Sequence, residues 1–90
     1  MSFGDEIKPY SEVAQSIKPG AIYEHYKGLR FKILHIARHC DTYEELVVYQ
    51  ALYGDGEIWI RPVKAFPENV TIDGKVQLRF RQISREFALA

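Results

Sequence analysis

Two short stretches hold the residues whose types and spacing could do chemistry. The first is His39-Cys40-Asp41-Thr42, an imidazole, a thiol, a carboxylate and a hydroxyl in succession. The second is LYGDGEIWIRP, residues 52–62, which turns sharply at its glycines and then sets Trp59 one residue away from Arg61. A nucleophilic thiolate needs an imidazole within hydrogen-bond reach. Adjacent residues of an extended chain point to opposite faces, so His39 and Cys40 meet only if the chain turns there. A small residue in a loop is the preferred reading of Cys40. For a metal, His35 and His39 lie on one side of an extended chain, but four residues of strand span about 13 Å. Zinc ligands sit about 2 Å from the ion, so these two cannot share one. His25 could approach either across a hairpin, yet without carboxylate or thiolate support. No metal site is expected.

An acid–base cluster is the third arrangement: His39, Asp41 and Thr42 in a connection, with Arg61 and Tyr49 on a neighbouring strand. It could orient a phosphate or carboxylate. Asp and Thr are also the residue types that bond their own backbone in turns, and His39 would then cap a strand end; turn architecture is the preferred reading. The chain contains no glycine-rich phosphate loop, paired-carboxylate motif or nucleophile elbow. No catalytic residue and no cofactor is therefore assigned.

Ninety residues make one domain. Twelve basic and twelve acidic residues cancel, so no global field draws the chain to nucleic acid or membrane. Locally, KVQLRFRQISR carries Lys75, Arg79, Arg81 and Arg85 with no acid; a solvated strand edge explains such a run. Cys40 is the single cysteine, which precludes an intramolecular disulfide and fits a reducing compartment. The N-terminus lacks the basic start and apolar run of a signal peptide, and no window approaches the roughly 20 apolar residues of a membrane span. A cytoplasmic protein with no membrane partner is expected.

These residues need strands to hold them. SEVAQSIKPG predicts a short helix capped by Ser11, with Val13, Ala14 and Ile17 at helical spacing, stopped by Pro19 and Gly20. AIYEHY (21–26) meets LRFKILHIAR (29–38) across a tight Lys27-Gly28 turn. Phe31 and Ile33 share one face and Leu34 and Ile36 the other, so a bulge or bend is expected near Ile33-Leu34. LVVYQALY (46–53) turns at GDG into EIWIRP, where Pro62 ends pairing. VKAF predicts one helical or 3-10 turn, and VTIDGKVQLRF a last hairpin around Asp73-Gly74. The resulting expectation is an all-β (mainly β) chain. It is a small SH3-like barrel of about five strands with a short N-terminal helix and one helical turn; an open antiparallel sheet covered by the helix is the competitor. An N-terminal arm and helix occupy 1–17, the β domain 18–83 and a tail 84–90.

The stagger of the 46–62 hairpin decides the faces. A two-residue Asp55-Gly56 turn sets Leu52 against Trp59 and mixes residue types on both sides. A three-residue Gly54-Asp55-Gly56 loop pairs Leu52 with Ile58 and Gln50 with Ile60. Val48, Leu52, Ile58 and Ile60 then share one side, and Tyr49, Tyr53, Trp59 and Arg61 the other, with Tyr49 directly opposite Arg61. The second register is preferred because a half-buried sheet rewards consistent faces. Trp59 buries on the order of 200 Å² when covered, so a cover is expected from the N-terminal helix, the C-terminal tail or a partner.

KPGAIYEHYKG, ARHCDT, LVVYQALYGDGEIWIRP, AFPENV and RF resemble, in order and spacing, a small bacterial family catalogued as domain of unknown function number sixteen fifty-three. The resemblance covers about residues 18–83. The family usually reads HSET where this chain has His39-Cys40-Asp41-Thr42, and a proline where Leu78 stands. Cysteine in the serine position argues against an essential hydroxyl there. The resemblance implies a compact, mostly β cytosolic domain and no known activity, cofactor or catalytic residue. The function expected is a small binding or accessory module using Tyr49, Tyr53, Trp59 and Arg61 as contact face, with His39 at its margin. Its partner would be a peptide, a protein or a nucleic acid, and a homodimer is compatible with it. The alternative is a small enzyme acting on a phosphorylated or acyl substrate through His39, Asp41 and Arg61.

Overall fold

In the computed structural model of the chain, which describes residues 8–84, helix α1 (Glu12–Ser16) leads into β1 (Ile22–His25), β2 (Arg30–Arg38), β3 (Glu45–Ala51) and β4 (Ile58–Pro62). A 3-10 turn (Val63–Ala65) follows, then β5 (Asn69–Ile72), β6 (Lys75–Leu78) and β7 (Phe80–Ser84). Of the expected tail, residues 84–90, Ser84 instead ends β7; the rest of it and most of the N-terminal arm lie outside the described residues.

Ser11 caps α1 as its type predicts, its Oγ accepting from the Ala14 N–H at 3.2 Å. The Ser11 N–H and hydroxyl both donate to the Glu45 carboxylate at 2.7 Å, which fastens the cap to the first residue of β3. These hydrogen bonds hold the Glu45 carboxyl below its ordinary value. Ala14 and Ile17 face the core, but Val13 is exposed. At 100° per residue so short a helix presents a narrow buried stripe, and Val13 falls outside it.

Five strands form one antiparallel sheet in the order β4-β3-β2-β1-β7, and β5 and β6 pair separately. The described residues thus form seven strands where about five were expected, because Phe80–Ser84 leaves the last hairpin and pairs with β1. The expected bulge is present: Ile33 pairs with Tyr49 and His35 with Val48, leaving Leu34 as the extra residue. The phase shift lets Phe31 and Ile33 before it, and Ile36 after it, pack on the same core. The first hairpin turn is one residue longer than expected. His25 N donates to Leu29 O, and Gly28 sits at φ +91° in a Tyr26-Lys27-Gly28 loop. Asp73-Gly74 makes the two-residue turn its type predicts, both residues at positive φ and Ile72 paired with Lys75.

Strand order and the 3-10 turn ahead of the last hairpin follow the SH3-like arrangement, but the sheet does not close into a barrel, since β4 and β7 do not pair. Besides one main-chain hydrogen bond, from the Arg79 N–H to Glu68 O at 2.9 Å, side chains join those two ends. Phe66, just after the 3-10 turn, stacks flat on Phe80 of β7, centroids 4.7 Å apart and planes 4° from parallel. Phe31 and Tyr49 meet Phe80 edge-on at 5.8 and 6.0 Å, and Tyr23 meets Phe66 at 5.1 Å. All five rings are buried.

Truncating the hub tests this description. Phe80→Ala should cost about 3–5 kcal/mol, read as a lowered urea midpoint. The cap tether has its own signature. Because the Glu45 carboxyl is depressed in the folded chain, its contribution is present above the ordinary carboxylate value and lost as pH falls through the folded one. Glu45→Gln should flatten the acid limb of the stability profile.

Candidate functional site

The face that carries Trp59 and Arg61 depends on the β3–β4 register, and the chain adopts neither register considered above. Gln50 pairs with Ile58, Tyr49 with Trp59 and Val47 with Arg61, a slip of two residues from the expected Tyr49–Arg61 pairing. The connection is longer than three residues. Ala51 N donates to Glu57 O, Gly56 N donates to Tyr53 O, and the Gln50 side-chain amide donates to Gly56 O at 3.0 Å. Gly54 and Gly56 both take positive φ, so glycine permits the whole segment to curl. A slip of two keeps side-chain parity, so Ile58 and Ile60 still oppose Tyr49, Trp59 and Arg61 in facing. The ring side, however, turns inward. Val47, Tyr49 and Ala51 are buried, whereas Ile58 and Ile60 are 59% and 64% exposed.

Arg61 therefore does not lie over Tyr49 as its main partner. Its guanidinium sits 5.6 Å from the Phe80 ring centre, its Nε donates to Ala65 O at 3.3 Å, and it pairs with Glu68 at 2.9 Å. Arg79 reaches the same Glu68 oxygen at 3.4 Å. That approach is an ion-pair distance without hydrogen-bond alignment, since among the described residues the buried Arg79 Nε has no hydrogen-bond partner.

Beside these groups opens a cleft of about 290 Å³. Buried Phe31, Tyr49 and Phe80 form its floor, and Tyr53 and Trp59 (42% and 48% exposed) form one rim. Lys27, Arg61 and Arg79 place three cations around it, with His25 between them. His25 lies edge-on to Phe80 at 5.2 Å, and its Nδ1 accepts the Lys27 N–H at 3.2 Å. Burial first, and then the charges of Arg79, Lys27 and Arg61, push its pKa down. Tyr49 is pushed up by burial.

Four of the candidates, Tyr49, Tyr53, Trp59 and Arg61, thus line one cavity; His39 does not line it. His39 is exposed in the β2–β3 connection, where its Nδ1 accepts the N–H of Asp41 at 3.1 Å and of Thr42 at 3.4 Å. Thr42 Oγ1 accepts the Glu44 N–H, and Tyr43 takes φ +63°. The segment does bring the His39, Cys40 and Asp41 donor atoms within 4.8 Å of one another, but the imidazole nitrogen nearest the backbone is already used by the turn. His25, Lys27, Phe31, Arg79 and Phe80 are not among the residues expected on the contact face. They reach the cleft from β1, the first hairpin, β2 and the start of β7.

Residues 21–82 match the family described as Protein of unknown function (DUF1653). The chain belongs to the DUF1653 family. It is also similar to a crystal structure of a DUF1653 protein from Bordetella bronchiseptica, at 33% identity and a TM-score of 0.70, over 79% of this chain and 92% of that one. No curated protein matches it. Every residue of the cleft falls within the DUF1653 span. Among the described residues no helix is long and apolar enough to cross a membrane.

The depressed His25 gives a sign that can be checked. Above about pH 6.5 the imidazole is neutral folded and unfolded, and its effect on folding is constant. As pH falls through that value the unfolded chain takes up a proton that the folded one refuses, so stability drops, levelling off below the folded pKa. Denaturant midpoints from pH 8 to 5 should fall more steeply for the native chain than for His25→Asn.

Proposed function

We propose that this DUF1653 domain is a binding module whose cleft receives an acidic group on an apolar or aromatic body, supplied by a peptide or protein. One observation carries the reading: Trp59 and Tyr53 stand half-exposed over a ring-lined floor, next to Lys27, Arg61 and Arg79, of which the two arginines share the carboxylate of Glu68. Covering the open half of a tryptophan, on the order of 100 Å², returns about 2–3 kcal/mol. An anion among Lys27, Arg61 and Arg79 adds charge-assisted hydrogen bonds. The volume suits one side chain or chain terminus and is at the small end for a cofactor pocket.

A nucleic-acid strand could stack a base on the same rim. It would need a track of cations for successive phosphates, and the chain's zero net charge supplies no long-range pull. The enzyme alternative through His39, Asp41 and Arg61 is less favoured, because His39 spends Nδ1 on its own turn.

Titrating the domain with acidic aromatic peptides should change Trp59 emission. Tyr53→Ala and Lys27→Glu should each weaken capture about tenfold, equivalent to 1.4 kcal/mol, with melting unchanged. Binding indifferent to both substitutions would sink the cleft as the site. Capture of single-stranded oligonucleotides in preference to peptides, falling steeply with salt, would reassign the partner.

A further inference from the structure

Among the described residues, strand β4 is an edge strand with β3 as its one neighbour. The Ala51 N–H donates to Glu57 O, which fixes the phase of that ladder. Glu57, Trp59 and Arg61 direct their main-chain groups at β3, and Ile58 and Ile60 direct theirs outward. Among the described residues, no backbone hydrogen bond outside the β3 ladder reaches Ile58 or Ile60. Their side chains are also two of the most exposed apolar groups, at 59% and 64%. Sheet proteins blunt such edges with lysine, proline or bulges unless the edge is used. Here residues 57–61 carry none of these, and Pro62 stands only at the end of the strand.

We propose that a second copy of the chain occupies this edge, β4 pairing antiparallel with β4 about a two-fold axis through Trp59. Glu57-Ile58-Trp59-Ile60-Arg61 is complementary to itself when reversed. In this register Glu57 stands opposite Arg61 of the second copy, Ile58 opposite its Ile60, and Trp59 opposite its Trp59. The outward N–H and C=O groups of Ile58 and Ile60 are then the ones that meet. Sliding the register by two residues one way sets Glu57 against Trp59. Sliding it the other way asks Pro62 for an N–H it lacks. Charge pairing and donor pattern thus select the same alignment independently.

The pairing also disposes of the exposed groups. Isoleucines of both copies form one cross-strand apolar patch on the outer face, and the two half-covered Trp59 rings meet on the cleft face. Residues related in this way form an isologous interface, closed at two copies. Both clefts then open on the same side of a continuous sheet, with the tryptophans at the seam. The inference rests on the edge and not on what the cleft binds.

Sedimentation equilibrium of the full chain, from micromolar to millimolar, should show a reversible dimer. Ile58→Lys with Ile60→Lys, both on the solvent face, should weaken it at least a hundredfold while far-UV dichroism stays unchanged. Glu57→Lys, which places like charge opposite Arg61, should weaken it about tenfold. For register, a Cys40→Ser background with Trp59→Cys should form an intermolecular disulfide on mild oxidation. Residues opposite each other in a non-hydrogen-bonded pair are about 4.5 Å apart at Cα, within disulfide reach. Ile58→Cys in the same background, offset from its own mate, should not cross-link. A monomer at millimolar concentration overturns the proposal, as does a dimer indifferent to the lysine pair, or cross-linking through Ile58→Cys and not Trp59→Cys. Tyr53→Ala and Lys27→Glu should leave dimerisation intact, so failure of the cleft reading and failure of this one are separable.

Discussion

The stack of Phe66 on Phe80 is the contact on which the rest of this structure depends. An open five-stranded sheet has two unpaired ends, and here the chain connecting them spends part of its length on a separate hairpin. A single main-chain hydrogen bond, from the Arg79 N–H to Glu68 O at 2.9 Å, ties the start of β7 to the segment after the 3-10 turn. Two rings in parallel contact reinforce it, and Phe31, Tyr49 and Tyr23 lean on that pair edge-on. A chain of this size buries a modest fraction of its surface, so a cluster of large planar side chains supplies a disproportionate share of its apolar burial. Loss of the stack would free β7 and, with it, one wall of the cleft.

The same cluster explains why a cationic cleft can exist on so small a domain. Phe80 begins β7, and the residue before it is Arg79; fixing the ring fixes the guanidinium beside it. Arg61 lies over that ring while its nitrogens reach Ala65 O and Glu68. Glu68 in turn accepts the approach of Arg79. One carboxylate between two guanidiniums leaves positive charge in excess, and that field adds to burial, the larger cause, in pushing His25 down. Trp59 is held by its strand but not covered by the core, which leaves its ring available at the rim of the cleft and its strand available at the edge of the sheet.

Much of the architecture was legible because short-range chemistry decides it. Ser11 as a cap, the bulge at Leu34, the Asp73-Gly74 turn and the 3-10 turn after Pro62 each follow from one or two residues with strong local preferences. The register of β3 and β4 was not legible, because Gly54 and Gly56 permit several loop lengths and the Gln50 amide that selects one of them is indistinguishable from any solvated glutamine. The candidate site was half visible for a related reason. Tyr49, Trp59 and Arg61 stand on consecutive strands whose alternation shows in the sequence, with Tyr53 in the loop between them, whereas His25, Lys27 and Arg79 join them only through pairing of distant segments.

The sequence by itself determined which residues turn, which alternate and which side chains share a side of the β3–β4 hairpin, because parity along a strand survives any slip of two. Only the tertiary structure decided which of those sides faces inward. Alternation carries no sign, and the sign is set by where Phe66 and Phe80, far along the chain, come to rest against Tyr49.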